Sequence, residues 1–294
     1  MVKTHRITSL KKPLIKYGWL NAIFFFICFL FFGLIFHLII SIFFGGTVNK
    51  VLVRLDFESY WHLKEWVLIV VSNLFSILFW VWIFHKIINR QSFTSIGLEF
   101  SGYKDDFISG LLLGFGLTGL GFGILYTFNF LSVESIQFSL KTQLFYVFVY
   151  TLISLSEEIA VRGYILQNLS KSFNKYIALV LSSLAFMVIR GANSDWTNMN
   201  VVPLFNLFLA GILLGVYCIY KNNLWFPIGA NFTWSYFKEP VWGFVGYNFP
   251  LNDFGPETIF SHNLRERDFD GSIILTALII AGIVYVHRRY SNID

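Results

Sequence analysis

The chain has 294 residues, of which 56% are hydrophobic, 20% aromatic and only 13% charged, and its formal net charge is +5. Soluble domains carry about 25% charged residues, so this composition, with a mean hydropathy of +0.64, excludes an ordinary soluble enzyme and indicates a polytopic helical membrane protein. The basic excess is typical of cytoplasmic loops between spans and does not indicate a nucleic-acid partner.

The first element is a basic segment followed by an apolar run from about Tyr17 to Phe44. A signal peptide would have a shorter apolar core and a small-residue cleavage site. We therefore expect a retained first span. The basic residues before it are Lys3, Arg6, Lys11, Lys12 and Lys16.

Apolar runs along the rest of the chain predict an all-α bundle of about eight spans, forming one membrane domain over residues 1–294. The N-terminal spans cover residues 17–131, a core covers 142–247, a loop at 248–271 is expected to be external, and the last span covers 272–287. The individual spans are predicted at 17–44, 65–89, 107–131, 142–163, 176–191, 201–220, 223–247 and 272–287.

The charges between these spans predict the orientation. Basic residues follow spans two, four, six and eight, and the positive-inside rule makes that side, with both termini, cytoplasmic. Lys50, Arg54 and Lys64 fall on the other side, accompanied by acidic residues. The basic residues that define the cytoplasmic side are Lys86, Arg90, Lys104, Arg162, Lys171, Lys175, Lys221, Arg288 and Arg289.

Glycines are prominent in the third span, where GFGLTG (114–119) matches the dinucleotide pattern GxGxxG. That pattern requires a preceding strand, whereas here it lies inside an apolar helix, among Gly110, Gly114, Gly119 and Gly123. Small residues at this spacing let membrane helices approach closely. We therefore interpret these glycines, and the GILLG at 211–215, as packing positions.

The sequence gives little support for a metal site or for a catalytic serine. No two histidines stand at helical ligand spacing, and we expect His37, inside the first span, to be a packed residue. Cys28 and Cys218 fall in apolar runs and give no ligand pattern. Ser154 and Ser156 lack a GxSxG context or a neighbouring base. No metal and no cofactor is predicted.

The fourth span contains the cluster SLSEEIAVRGY (154–164), with Glu157, Glu158 and Arg162. Placing an ionisable residue at the middle of a membrane costs about 2.5–3.5 kcal/mol of insertion free energy. Such a residue therefore suggests a functional role. Glu158 and Arg162 stand at i and i+4, so they can pair, while Glu157 points about 100° away toward another partner.

Two further spans bring polar groups inward. Arg190 lies in the fifth span, and the seventh, PIGANFTWSYF, carries Asn231 and Ser235 at i and i+4. With EEIAVRG, these segments resemble the motifs EExxxR, FxxxH and HxxxN of the CPBP family, the CAAX-protease and bacteriocin-processing membrane proteins. The resemblance covers about residues 142–247.

The resemblance implies an Rce1-like helical core in which a glutamate activates water, two histidines and an asparagine complete the site, and membrane-associated peptides are cleaved. Glu157, Glu158 and Arg162 match the first motif. Arg190 and Asn231 stand at the two histidine positions and Ser235 at the asparagine position. Since a guanidinium keeps its proton, we expect Arg190 to pair with a glutamate, in a locked, structural charge cluster.

Three functions stay open at this point. The favoured one is a catalytically degenerate homologue that binds or regulates another membrane protein or peptide. The second is an active glutamate-dependent peptidase in CAAX-type processing, bacteriocin maturation or self-immunity. The third is a transporter, since paired charges on facing helices also mark ion paths. The expected surroundings are the lipid bilayer of a bacterial inner membrane.

Overall fold

The computed structural model describes residues 13–43, 63–191, 201–244, 258–263 and 269–291. In these ranges the chain forms eight helices and two short strands. The helices are α1 (Gly18–Phe43), α2 (Leu63–Trp82), α3 (Lys104–Thr127), α4 (Leu140–Glu158), α5 (Lys175–Gly191), α6 (Val201–Lys221), α7 (Trp225–Tyr236) and α8 (Ile273–Ser291). A short 3₁₀ turn, Phe93–Ile96, lies between α2 and α3.

Three of these helices continue into a wider π-helical segment. α2 continues as Ile83–Ile88, α4 as Ile159–Leu166 and then Gln167–Leu169, and α7 as Phe237–Val241. π turns are rare and are frequently found at functional sites.

Five helical segments in the described part of the chain are long and apolar enough to cross a membrane. They are Val70–Ile88, Lys104–Thr127, Leu140–Leu169, Val201–Lys221 and Ile273–Ser291. This confirms the predicted all-α membrane bundle. The number of about eight spans stays a prediction, because α5 has 17 residues and α7 only 12.

Local sequence signals account for several helix starts. Ser139 accepts a hydrogen bond from the Thr142 amide at the start of α4, and Asn174 accepts two from the first turn of α5. Asp105 and Asp106 lie in the first turn of α3. Side-chain acceptors and negative charges at these positions satisfy free amides and favour helix formation.

The packing of α3 against α7 depends on small residues. A Cβ atom added to Gly114 would lie 2.3 Å from the carbonyl oxygen of Ala230, and one added to Gly110 would lie 2.2 Å from that of Phe226. These two glycines are therefore packing positions, as predicted. Gly123 is not, since nothing lies within 4 Å of its added Cβ, and at Gly119 only the Trp242 side chain approaches, at 3.5 Å.

The two strands were not predicted. β1 (Val133–Ile136) pairs antiparallel with β2 (Phe260–His262), with Val133 opposite His262. β2 falls within the predicted external loop, and the amide of Ile259 donates to the carbonyl of Pro240, beside the end of α7. The small sheet therefore ties the connection between α3 and α4 to the end of α7.

Some predicted features lie outside the described residues. These are the basic residues Lys3, Arg6, Lys11, Lys12, Lys50 and Arg54, the side chains of His37 and Lys64, and residues 248–257 of the predicted external loop. A different histidine, His85, is buried at the end of α2, where its Nε2 contacts the Ser92 carbonyl and the Ser95 hydroxyl.

Candidate functional site

The two glutamates lie near the middle of the long continuous helix Leu140–Leu169, at the end of α4. Glu158 is fully buried, whereas 12% of the Glu157 side chain is exposed. The eight residues of the π segment that follows are all buried, including Arg162. The two adjacent carboxylates thus extend from the same helix in different directions and pair with different arginines.

Glu158 pairs with Arg162, as the spacing predicts. Nη1 of Arg162 donates to Oε1 of Glu158 at 2.9 Å, and Nη2 donates to the carbonyl oxygen of Gly211 on α6 at 3.1 Å. Both side chains are at most 1% exposed. A buried charge needs both a counter-charge and hydrogen bonds, and Arg162 obtains them from two helices.

Glu157 pairs with Arg190 of α5. Nε of Arg190 lies 2.9 Å from Oε1 and 3.1 Å from Oε2 of Glu157, so one N–H is shared between both carboxylate oxygens. The Arg190 side chain is 14% exposed. The fifth predicted span thereby contributes its single cation directly to the first motif.

Asn231 and Ser235 of α7 complete the cluster. Nη2 of Arg190 donates to Oδ1 of Asn231 at 2.8 Å and to Oγ of Ser235 at 2.9 Å. The amide nitrogen of Asn231 donates to Oε2 of Glu157 at 2.8 Å and to Oε1 of Glu158 at 2.9 Å. Asn231 therefore joins both ion pairs, and all six predicted site residues form one hydrogen-bonded network.

Phe186 contacts this network through its aromatic ring. The guanidinium carbon of Arg162 lies 4.2 Å from the centroid of its ring, and that of Arg190 lies 5.7 Å away. An aromatic face attracts a cation within about 6 Å, so one buried ring contacts both arginines. Phe186 stands one helical turn before Arg190, at the first position of FxxxH.

The chemistry open to this cluster is limited by its hydrogen bonds. Both oxygens of Glu157 accept from Arg190, and Oε2 also accepts from Asn231. Oε2 of Glu158 is buried and accepts no hydrogen bond from the described residues. No group of three or more His, Cys, Asp or Glu residues that could hold a metal ion exists within those residues.

A second polar cluster, which sequence reasoning missed, lies in the π segment after α7. Nζ of Lys238 donates to Asp270 at 3.0 Å and lies 3.9 Å from Glu239, and the hydroxyl of Tyr150 donates to Glu239. Lys238 and Glu239 are both about 5% exposed. The sequence Lys-Glu-Pro (238–240) at the end of an apolar run could have indicated this cluster, because charges within a membrane span must be paired.

A narrow cleft connects the two clusters. Arg190 and Asn231 line one part of it and Lys238 and Asp270 another, while five leucines of α3 and α6 form part of the apolar wall. Its water-accessible volume is about 40 Å³, which is room for a few water molecules. The cluster around Glu157 is thus reachable from this cleft.

Comparison with known proteins gives one match. Residues 139–237 match the family model described as type II CAAX prenyl endopeptidase Rce1-like. No curated protein and no solved structure gives a significant match to the chain. The matched segment runs from the start of α4 through α7 and includes all six residues of the network. The chain is therefore a helical membrane protein that contains an Rce1-like domain at residues 139–237, about a third of its length.

Proposed function

We propose that this protein is a catalytically inactive CPBP homologue that acts by binding or regulating another membrane protein or a membrane-associated peptide. The observation that carries the proposal is the contact of Arg190 with both carboxylate oxygens of Glu157. The family resemblance implies a histidine at the position of Arg190.

The physical reason is the proton chemistry of arginine. A guanidinium stays protonated at any ordinary pH, so Arg190 cannot exchange protons during a reaction as a histidine can. It supplies a positive charge beside Glu157 and takes up an acceptor site on each of the two oxygens with which a general base would align a water molecule. Asn231, at the second histidine position, and Ser235 each accept a hydrogen bond from the same guanidinium, and neither can transfer protons as a histidine can.

The cleft supports a binding role. Ligand sites in proteins are mostly apolar, with a few polar groups that fix orientation, and this cleft combines leucine side chains with Arg190, Lys238 and Asp270. Because its volume of about 40 Å³ admits only a few water molecules, we expect a membrane-associated peptide to contact the mouth of this cleft and not to lie inside it.

The proposal is tested by a peptidase assay on the purified protein in detergent. Prenylated CAAX peptides and bacteriocin leader peptides are the substrates, an active peptidase of the family is the positive control, and cleavage is followed by mass spectrometry. We expect the wild-type protein to give no more cleavage than the Glu157→Ala and Glu158→Ala variants. Cleavage that is present in the wild type and lost in either variant contradicts the proposal.

One observation favours the second function, an active glutamate-dependent peptidase. Oε2 of Glu158 accepts no hydrogen bond from the described residues, and the neighbouring Glu157 is bonded to Arg190 and Asn231, which line a cleft that admits water. The same assay separates the two functions, since a peptidase that uses Glu158 is lost in Glu158→Gln, which keeps the shape of the side chain.

We further propose a cellular context for this function. The helix ends that carry Lys86, Lys171, Lys221 and Arg288 lie in the cytoplasm, together with both termini, in a bacterial inner membrane. The support is the positive-inside rule applied to these connections.

A further inference from the structure

A second, larger cavity lies at the basic end of the bundle. It is bounded by the end of α2, the C-terminal end of the α4 helix, the start of α5 and the connection between α6 and α7, and its water-accessible volume is about 440 Å³. Lys171, Lys175 and Arg162 line it, and in the described part of the chain no aspartate or glutamate does. The main neutral polar residues of its wall are Gln91, Gln167, Ser170, Asn222 and Asn223.

Among the described residues, neither lysine of this cavity has an anionic partner. Nζ of Lys171 donates to the amide oxygens of Gln91 at 3.2 Å and Asn168 at 3.1 Å. Nζ of Lys175 lies 4.8 Å from the centroid of the Tyr220 ring. Within the described residues no carboxylate approaches either lysine to 4 Å, whereas Arg162 is neutralised by Glu158. The positive field in the cavity therefore comes from Lys171 and Lys175.

The orientation of the membrane protein explains why lysines occur at this end, but not why Lys171 faces a cavity. Lys86 and Lys104 are exposed at the same end and line neither cavity described here. Lys171 is exposed as well, but two amides hold its ammonium group against the cavity wall, and partial burial lowers the pKa of that group. Within the ranges that the structure describes, this cation therefore has polar contacts at the cavity but no counter-charge.

The walls of the cavity are preformed. The amide of Leu224 donates to the carbonyl of Gly97 at 2.9 Å, and the side chain of Asn223 donates to the carbonyl of Glu99 at 2.8 Å. Gly97 has φ +100° and Asn222 φ +48°. Gly and Asn tolerate the left-handed region best, so this junction is built from residues that suit its close backbone approach.

We propose that this cavity is a binding site for a phosphate group, carried by an anionic lipid headgroup or present as free phosphate. Lysines bind phosphate as point charges, and basic pockets between helix ends are suited to phospholipid headgroups. The side-chain amides of Gln91 and Asn222 supply hydrogen-bond donors for the ester and glycerol oxygens of a headgroup. In contrast, Gln167, Ser170 and Asn223 already donate to backbone carbonyls. The site is separate from the glutamate network and does not depend on whether that network is catalytic.

The experiment measures binding to the intact protein in phosphate-free, neutral detergent by isothermal titration calorimetry. The probes are dihexanoyl phosphatidylglycerol, dihexanoyl phosphatidylcholine and inorganic phosphate. We expect saturable binding of phosphatidylglycerol or of inorganic phosphate, and much weaker binding of the zwitterionic phosphatidylcholine. Tighter binding of phosphatidylglycerol than of phosphate assigns the site to a lipid, and equal binding assigns it to the free anion.

The variants test whether these lysines form the site. Lys171→Gln with Lys175→Gln should weaken binding by about 25-fold, since each lysine near an anionic group contributes roughly fivefold. The matched control, Lys86→Gln with Lys104→Gln, should leave it unchanged. Asn222→Asp, which places a carboxylate at the rim and keeps both lysines, should weaken binding in a chain with an intact cavity. Absence of saturable binding, or an equal loss in the control pair, overturns the proposal.

Discussion

Arg190 donates to three of the other five site residues, and this makes it the residue on which the network depends most. It contacts Glu157, Asn231 and Ser235, and therefore joins α5 to both α4 and α7. A guanidinium presents five N–H donors in a rigid plane, which is why one side chain can satisfy three acceptors on two helices. A histidine at this position has at most two.

We expect Arg190→Met to destabilise the protein by about 3 kcal/mol. Removing one partner of a buried ion pair costs about 3–5 kcal/mol, and the lower end applies because both side chains keep slight exposure. The measurement is unfolding in detergent followed by tryptophan fluorescence.

Two further variants control this measurement. Adding Glu157→Gln to Arg190→Met should recover part of the loss, because the uncompensated carboxylate is then removed. Arg288→Met, at an exposed arginine of α8, should be close to neutral. Full stability of Arg190→Met would show that the ion pair does not hold the helices.

A second prediction concerns the reactivity of Glu157. In Arg190→His with Asn231→His, we expect Glu157 to lose its ionic partner and to protonate more readily, since a buried carboxylate without a counter-charge is neutralised. Dicyclohexylcarbodiimide adds to protonated carboxyl groups in apolar surroundings. The adduct at Glu157, mapped by peptide mass spectrometry, should be strong in the double variant and weak in the wild type. Equal labelling in both proteins contradicts a locked glutamate.

At the scale of the element, the contact between α3 and α7 positions the site. Gly114 lies against Ala230, the residue next to Asn231, so the distance between these two helices sets where the asparagine amide lies. Gly229 makes the reciprocal approach from α7, where an added Cβ would lie 2.8 Å from the carbonyl of Phe107.

Gly114→Ala should therefore destabilise the protein strongly, whereas Gly116→Ala on the same helix should not. The added Cβ at Gly114 would lie 2.3 Å from both the Ala230 carbonyl and the Thr233 hydroxyl, and α7 must move; nothing lies within 4 Å of the Cβ at Gly116. There, the change should be neutral or stabilise by about 0.5–1 kcal/mol through helix propensity. The measurement is the melting temperature of each variant in detergent. Equal changes in melting temperature for the two variants would contradict close packing at Gly114.

Part of the site could be predicted from the sequence because its contacts are local. Glu158 and Arg162 are neighbours on any helix, and a lone buried arginine in the next span required a carboxylate. Whether Arg190 pairs with Glu157 or with Glu158 depends on how α5 crosses α4, and helical periodicity does not determine that crossing. The bridging role of Asn231 was also hidden, because it requires the positions of three helices at once.

The sequence also did not predict one ion pair, the two strands and the π segments. Lys238 meets Asp270, 32 residues later, across a connection that no sequence pattern closes. β1 has four residues and β2 three, too few for an alternation of apolar and polar positions to be recognised. The π segments were not predicted either, since Ile159–Leu166 has the composition of an ordinary apolar helix.

At the scale of the whole molecule, polar groups occur at four levels along one axis of an apolar bundle. The basic cavity lies at one end, the glutamate network follows within α4, the Lys238 cluster lies beyond it, and the β1–β2 pair is at the far end. The charges of the two buried levels, the glutamate network and the Lys238 cluster, are paired internally, which is the condition for keeping charge inside a bilayer.

This arrangement predicts the sidedness of the molecule. α3 separates Ser101 from Glu134, and both positions are exposed. In intact spheroplasts, a membrane-impermeant maleimide should label Glu134→Cys, whereas Ser101→Cys should react only after lysis. Cys28 and Cys218, in the bundle, provide the background measured in the unsubstituted protein. The opposite labelling pattern would invert the proposed orientation.

The π segment Ile159–Leu166 has a consequence for the evolution of this chain. A π turn holds about one residue more than an α turn, so the segment acts as a one-residue insertion in α4 with both flanks kept in register. Gain or loss of a residue elsewhere in a helix rotates everything beyond it by about 100°. Here a residue can be lost while Glu157 and Asn168 keep their faces, and we expect length differences among related chains to collect beside Arg162.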